Sequence, residues 1–352
     1  MQEQIKKAYD NIGLPRLIII SFFVLMLVFA APLGLNVASL LGDTLRRWAM
    51  YGILVLAMVP AIQSGIGPNF AISLGIVSGL LGATISIELG ISNSWVAIGV
   101  AMLIGTVMGT ILGILYGFLL NNVKGSEMTV STYVGFSVIA FMNIMWLSLP
   151  FKDGNLIWPL GGSGMRNTIS LSNTFGELLN KTWGFTIGQE GAGLYVPTGL
   201  ILFFLFVCVI MWLFMRSKTG IALSAVGSSP TFTRSSGINV NKMRIIGTAL
   251  STALGAIGII TYAQSYGFLQ LYNAPLWMGF HCVAAILIGG ATTKRASIAQ
   301  VIIGTFLFQG ILAVALPVVN QLLPESNLPD VIRLIISNGI ILYAISKTKG
   351  DK

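Results

Sequence analysis

Charge is what this sequence has least of: Asp, Glu, Lys and Arg make up 9% of its 352 residues, against roughly 25% in soluble domains. A water-soluble fold is excluded on composition. Cysteine occurs twice and histidine once. Cys208 and Cys282 have no metal-ligand or redox spacing and read as small apolar packing residues. The string Gly-x-x-x-x-Gly-Lys-Ser/Thr is missing, so the chain lacks the phosphate cradle of an ATPase. Any ATP it uses must be hydrolysed on another polypeptide. No cofactor or metal motif takes its place. Acids are also rare within the apolar blocks, where only Glu88 and Glu127 come near, each at a block's end. Carboxylates inside the membrane mark proton and sodium pathways. Their scarcity counts against a secondary transporter or facilitator.

What is abundant is apolar: 55% of residues, gathered in long blocks. Blocks of about 17–25 residues match ~30 Å of hydrocarbon at 1.5 Å per helical residue. The sequence predicts an all-α integral membrane protein, one transmembrane domain over 1–352, with about ten spans and some broken or re-entrant segments. The spans fall near Leu17–Leu35, Trp48–Ser64, Phe70–Leu89, Trp95–Leu120, Thr129–Leu149, Val196–Met215, Ile245–Tyr266, Leu276–Gly290, Ile298–Pro317 and Pro329–Ser346. The first resembles a signal peptide but reads as a retained anchor, because further spans follow.

Base outnumbers acid, 20 to 11. An even number of spans puts both termini on one side, and fourteen of the twenty basic residues fall there. The positive-inside rule makes that side cytoplasmic. The net charge of +9 is then a topology signal, and no nucleic-acid partner is needed to explain it.

Gly105, Gly109, Gly113 and Gly117 recur every fourth residue, as do Gly75 and Gly79, which is the pattern that lets helix backbones approach closely. Ser64–Phe70 sets two glycines and a proline between apolar blocks. The helix should break there, either as a short turn or as backbone that lines a solute pathway. Residues 150–193 form the only long segment on the non-cytoplasmic side, an ordered cap or a docking surface. Within it Phe175, Leu178, Leu179 and Trp183 have the spacing of a short interfacial helix. Residues 216–244 form a basic cytoplasmic loop with no acid in it. Ser229 followed by Pro230 is an N-cap and N1 pair and Gly237 a stop signal, so Pro230–Ser236 is predicted to be a two-turn helix.

Amides and aromatics supply most of the polarity within the spans, which suits a neutral solute that hydrogen-bonds and stacks. The candidate pathway residues are Gln63, Asn69, Gln264, Tyr266 and His281. The last is read either as a hydrogen-bonded packing residue or as a solute contact.

Two stretches carry a resemblance. Gly220-x4-Ala225-Val226-Gly227, Pro230, Arg234 and Gly237-Ile-Asn-Val-Asn-Lys242 form one, and Ala284-Ala-Ile-Leu-Ile-Gly-Gly290 the other. They resemble the permease subunits of bacterial ABC importers for simple sugars and nucleosides, relatives of branched-chain amino-acid permeases, and the likeness runs roughly from Arg46 to Lys347. It implies a location in the bacterial cytoplasmic membrane and a cytoplasmic ATP-binding subunit. It also implies an extracytoplasmic solute-binding protein and a second permease subunit, identical or homologous. In that setting Ser229, Pro230, Phe232, Arg234 and Gly237 would form the element that couples to the ATPase. Gly67-Pro-Asn69-Phe-Ala stands where sugar permeases of this kind carry Gly-Gly-Ile-Asp-Leu-Ser. Glu127-Met-Thr-Val-Ser-Thr132 is closer to the nucleoside type, so a monosaccharide, a nucleoside and a related small polar molecule all stay open.

Overall fold

A computed structural model describes residues 14–157, 164–188, 193–322 and 338–339. Most of the ordered elements are helices: α1 (Leu14–Ala30), α2 (Val37–Leu56), α3 (Met58–Gln63), α4 (Ser73–Glu88), α5 (Ser94–Asn122) and α6 (Glu127–Ser148) precede the long loop. After it come α8 (Thr198–Arg216), α9 (Lys218–Ser228), α10 (Pro230–Ser235), α11 (Val240–Tyr266), α12 (Asn273–Ile288) and α13 (Ile298–Leu322). Among the described residues seven helical segments are long and apolar enough to cross a membrane, and α12 and most of α1 are shorter apolar helices. The expected tenth span, Pro329–Ser346, lies outside the described residues.

Several boundaries differ from those read in the sequence. The second span starts at Val37 rather than Trp48, because the Asn36 side chain accepts from the Ser39 N–H and starts the helix early. Arg46 and Arg47, expected in a loop, therefore lie within α2. The ninth span runs on to Leu322 with Pro317 inside it. The loop over 150–193 contains strands as well as a helix. The segment β1 (Thr168–Ser170) pairs antiparallel with β4 (Phe268–Gln270), and β2 (Phe185–Ile187) with β3 (Leu194–Val196). The expected interfacial helix shrinks to α7 (Leu178–Lys181). Phe175 and Leu179 are buried against the bundle, whereas Trp183 is exposed.

The centre of the bundle is α11, packed against α5, α4 and α2. The glycine ladders fit their expected use. A Cβ at Gly79 would lie 2.5 Å from the Ala256 carbonyl oxygen, and one at Gly109 3.0 Å from that of Thr252. No side chain fits between such backbones, so dispersion contacts run along their length. By contrast α5, α6 and α8 are buried over only about a third of their length or less, and turn apolar side chains outward.

Candidate functional site

Residues 216–239 build a compact two-helix element at one end of the bundle. Ser217 caps α9 by accepting from the Gly220 N–H at 3.2 Å. Ser229 then stretches the backbone, and its hydroxyl accepts from the Phe232 N–H at 3.4 Å with Pro230 as the first helical residue. The C-terminus closes with paired bonds, Ile238 N–H to Thr233 O (3.2 Å) and Gly237 N–H to Arg234 O (3.0 Å). Gly237 has φ +79, the left-handed conformation that this closure requires and glycine adopts without penalty. The helix ends at Ser235, with Ser236 as its cap rather than its last residue. Thr233 is buried, while Phe232 is 70% exposed and Arg234 also faces outward.

The helix α9 was not legible as such, although Ser217 was its available signal. It seats the pair on the bundle: a Cβ at Gly227 would meet the Gln63 carbonyl oxygen at 2.5 Å, and one at Gly65 the Val226 carbonyl oxygen at 3.3 Å. Both contacts fall on the helix break. Gly65 and Gly67 have φ +77 and +89 there, and a 3-10 turn over Phe70–Ile72 leads into α4. Asn69 in this break is fully buried. It donates to the Ser251 hydroxyl at 2.9 Å and accepts from Ser131, whose oxygen also accepts from the Ala71 N–H at 2.8 Å. Ser73 donates to the Pro275 carbonyl at 3.1 Å. The break is thus held by side chains of α6 and α11 and the backbone of α12. Asn69→Ala takes this partner from the buried hydroxyls of Ser251 and Ser131, and should cost about 1–3 kcal/mol of stability in detergent-solubilised protein.

The five residues picked from the sequence do not converge. Gln63 bonds the Ala296 carbonyl at the α9 end. Gln264 lies at the far end of α11, fully buried, and accepts from the Leu179 N–H at 3.1 Å, tying the long loop down. Tyr266 and His281 do belong to one array. Tyr266 stacks on Tyr262 (5.5 Å), Tyr262 meets Tyr51 edge-on (5.0 Å), and Tyr51 lies over His281 (6.5 Å). Nδ1 of His281 lies 2.8 Å from the Trp277 carbonyl oxygen. Tyr51 was not legible, because it lies far from the others in sequence, whereas Tyr262 sits one helical turn before Tyr266 and its i, i+4 spacing was an available signal.

A cleft of about 690 Å³ opens between α5 and α11, beside none of those five residues. Phe118 and Ile245 line it, with Asn121, Asn241 and Lys242 at one end.

Apolar helices of membrane-crossing length, one of them broken, with a capped helical pair seated on the break, define a multi-pass membrane protein. The chain belongs to the family described as branched-chain amino acid transport system / permease component, whose family model matches residues 40–345. It is similar to a tyrosine transport system permease protein of Clostridioides difficile (strain R20291), 28% identical over 172 residues, 46% of this chain and 56% of that one. The match thus spans little more than half of that relative. A galactofuranose transporter permease protein of Escherichia coli (strain K12) is 24% identical over 310 residues, 85% of this chain and 80% of the relative. A guanosine ABC transporter permease protein of Bacillus subtilis (strain 168) is 28% identical over 139 residues, 39% and 41% of the two chains. No solved structure matches the chain.

Proposed function

We propose that this chain is the membrane-spanning permease of a binding-protein-dependent ABC importer, driven by ATP hydrolysed on a separate cytoplasmic subunit. It works paired with a second permease subunit in a bacterial cytoplasmic membrane, receives solute from an extracytoplasmic binding protein, and keeps both termini in the cytoplasm. The observation that carries this reading is α10 itself. A short helix fixed at both ends, with Phe232 and Arg234 turned outward, is rigid enough to transmit a push. Through Gly227 and Gly65 its motion reaches the break before α4 without crossing a flexible loop.

The solute is small, polar and without net charge. Tyrosine, galactofuranose and guanosine, named for the relatives, share a ring bearing hydrogen-bonding groups. Such a ring suits the aromatic array that holds Tyr266 and His281. A monosaccharide or a nucleoside is the class assigned to this chain.

Arg234→Glu and Gly237→Pro test the coupling element. Both variants should insert and fold, yet uptake should fall about tenfold or more, because a reversed charge or a broken cap spoils the fit to the ATPase. Ser229→Ala should give a smaller loss, the cap being worth ~1 kcal/mol. The assay is co-purification of the ATP-binding subunit together with solute uptake in vesicles. Normal values of both in Arg234→Glu and Gly237→Pro would overturn the assignment.

A further inference from the structure

The hairpin between α7 and α8 carries apolar side chains that the bundle does not use. Trp183, Phe185 and Ile187 are 74%, 50% and 57% exposed. Alternate residues of a strand share a face, and the pairing extends that face, with Val196 opposite Phe185 and Leu194 opposite Ile187. The opposite face holds Thr186 and Tyr195. Here the Tyr195 hydroxyl donates to the Asn180 carbonyl at 2.6 Å, and its backbone lies against Gly42 of α2, where a Cβ would come within 3.0 Å. Tyr195 thus fastens β3 to the bundle, whereas Phe185, Thr186 and Ile187 of β2 are all exposed.

Two backbone features keep the indole outside. Trp183 has φ +54, a conformation that bulky residues avoid. Gly184 follows it at a point where a Cβ would lie 2.5 Å from both the Asn180 carbonyl oxygen and the Tyr195 hydroxyl. The chain tucks in at Gly184 and swings Trp183 out.

The hairpin's depth follows from its connection. Strand β3 ends at Val196 and the membrane-crossing α8 begins at Thr198. At about 3.4 Å per extended residue, the strand pair stands within roughly one strand length of the hydrocarbon boundary. The same span exposes Leu202, Phe206, Ile210 and Leu213, so the hairpin sits at the rim of a lipid-facing surface.

We propose that this hairpin is a membrane-surface anchor. Trp183, Phe185 and Ile187 insert into the headgroup region of the leaflet from which α8 departs. Aromatic and apolar side chains at that level gain burial while the strand backbone stays paired. The proposal rests on the membrane-spanning character of α8 and not on the transport reading.

The test is a spin label at Ile187→Cys in the full chain, with Cys208 and Cys282 replaced by alanine, in phosphatidylcholine nanodiscs. A label at Ser170→Cys, exposed on β1, is the aqueous reference. Label 187 should be accessible to oxygen but about five-fold less accessible to a water-soluble nickel chelate than label 170. Equal access to the chelate would overturn the proposal, as would protection that appears only when an extracytoplasmic partner is added. Exclusion of both oxygen and chelate would point to a covering protein and overturn it too. A second measurement keeps the native cysteines. Headgroup-proximal brominated lipid should quench tryptophan emission, and Trp183→Phe should remove part of the quenched component. An unchanged quenched component in that variant would refute the anchor.

Discussion

Glu127→Gln is expected to destabilise the protein by about 3–5 kcal/mol, the usual cost of leaving one member of a buried ion pair alone. Glu127, at the start of α6, pairs with Arg244 near the start of α11, and their side chains are 17% and 6% exposed. The second carboxylate oxygen of Glu127 accepts from the Gly125 N–H at 2.9 Å. With the carboxylate gone, the guanidinium keeps its charge and loses the group that offset its desolvation. Replacing both residues at once, Glu127→Leu with Arg244→Met, should recover most of the loss, because no orphaned charge is left behind. Thermal denaturation of the parent, Glu127→Leu, Arg244→Met and the double variant in one detergent measures the cycle, with Glu127→Gln run beside them. If Glu127→Gln melts with the parent, the pair contributes nothing to the fold.

Gly79→Val is the second large effect. The nearest atoms to a new Cβ are not only the Ile259 side chain but also the Ala256 carbonyl oxygen at 2.5 Å and Ala256 Cα at 3.0 Å. A side chain can rotate away, but a helix backbone cannot. Valine would force α4 off α11, and the loss should be about 3 kcal/mol or more, at the upper end of overpacking. Gly99→Val is the control. It meets no heavy atom within 4 Å, and its melting temperature should not fall. Folding yield and monodispersity after detergent extraction separate the two.

Both predictions use contacts between residues far apart in the chain, and this is also where reading the sequence ran out. Arg244 was counted among the basic residues of a cytoplasmic loop. Charge type and position say nothing of a carboxylate 117 residues away. The same holds for Gln63 and Gln264, amides in apolar blocks that looked like a common lining. One donates to the Ala296 carbonyl and the other anchors the long loop, at opposite ends of the bundle. An amide in an apolar span must find a partner, but composition does not say whether that partner is solute, side chain or backbone. The hairpin was not legible for a related reason. Phe175, Leu178, Leu179 and Trp183 have helical spacing, yet strand pairing at Phe185–Ile187 and the positive φ of Trp183 depend on a partner strand and on Tyr195 lying against Gly42.

By itself the sequence determined what solvent and local geometry dictate. Apolar block length sets the membrane class, since every span must satisfy its own backbone in lipid. The spacing of Gly75 and Gly79 and of Gly105–Gly117 marks the helices that approach most closely. Ser229, Pro230 and Gly237 specify a short helix, because caps act within a few residues of themselves. The tertiary structure alone decided which polar groups face one another: Asn69 with Ser251 and Ser131, Glu127 with Arg244, Tyr51 with Tyr262 and His281. It also decided that α10 connects through Gly227 to the broken helix. The physical reason is that packing energy depends on surfaces meeting across the fold, and the order of residues along one helix does not name the helix it will meet.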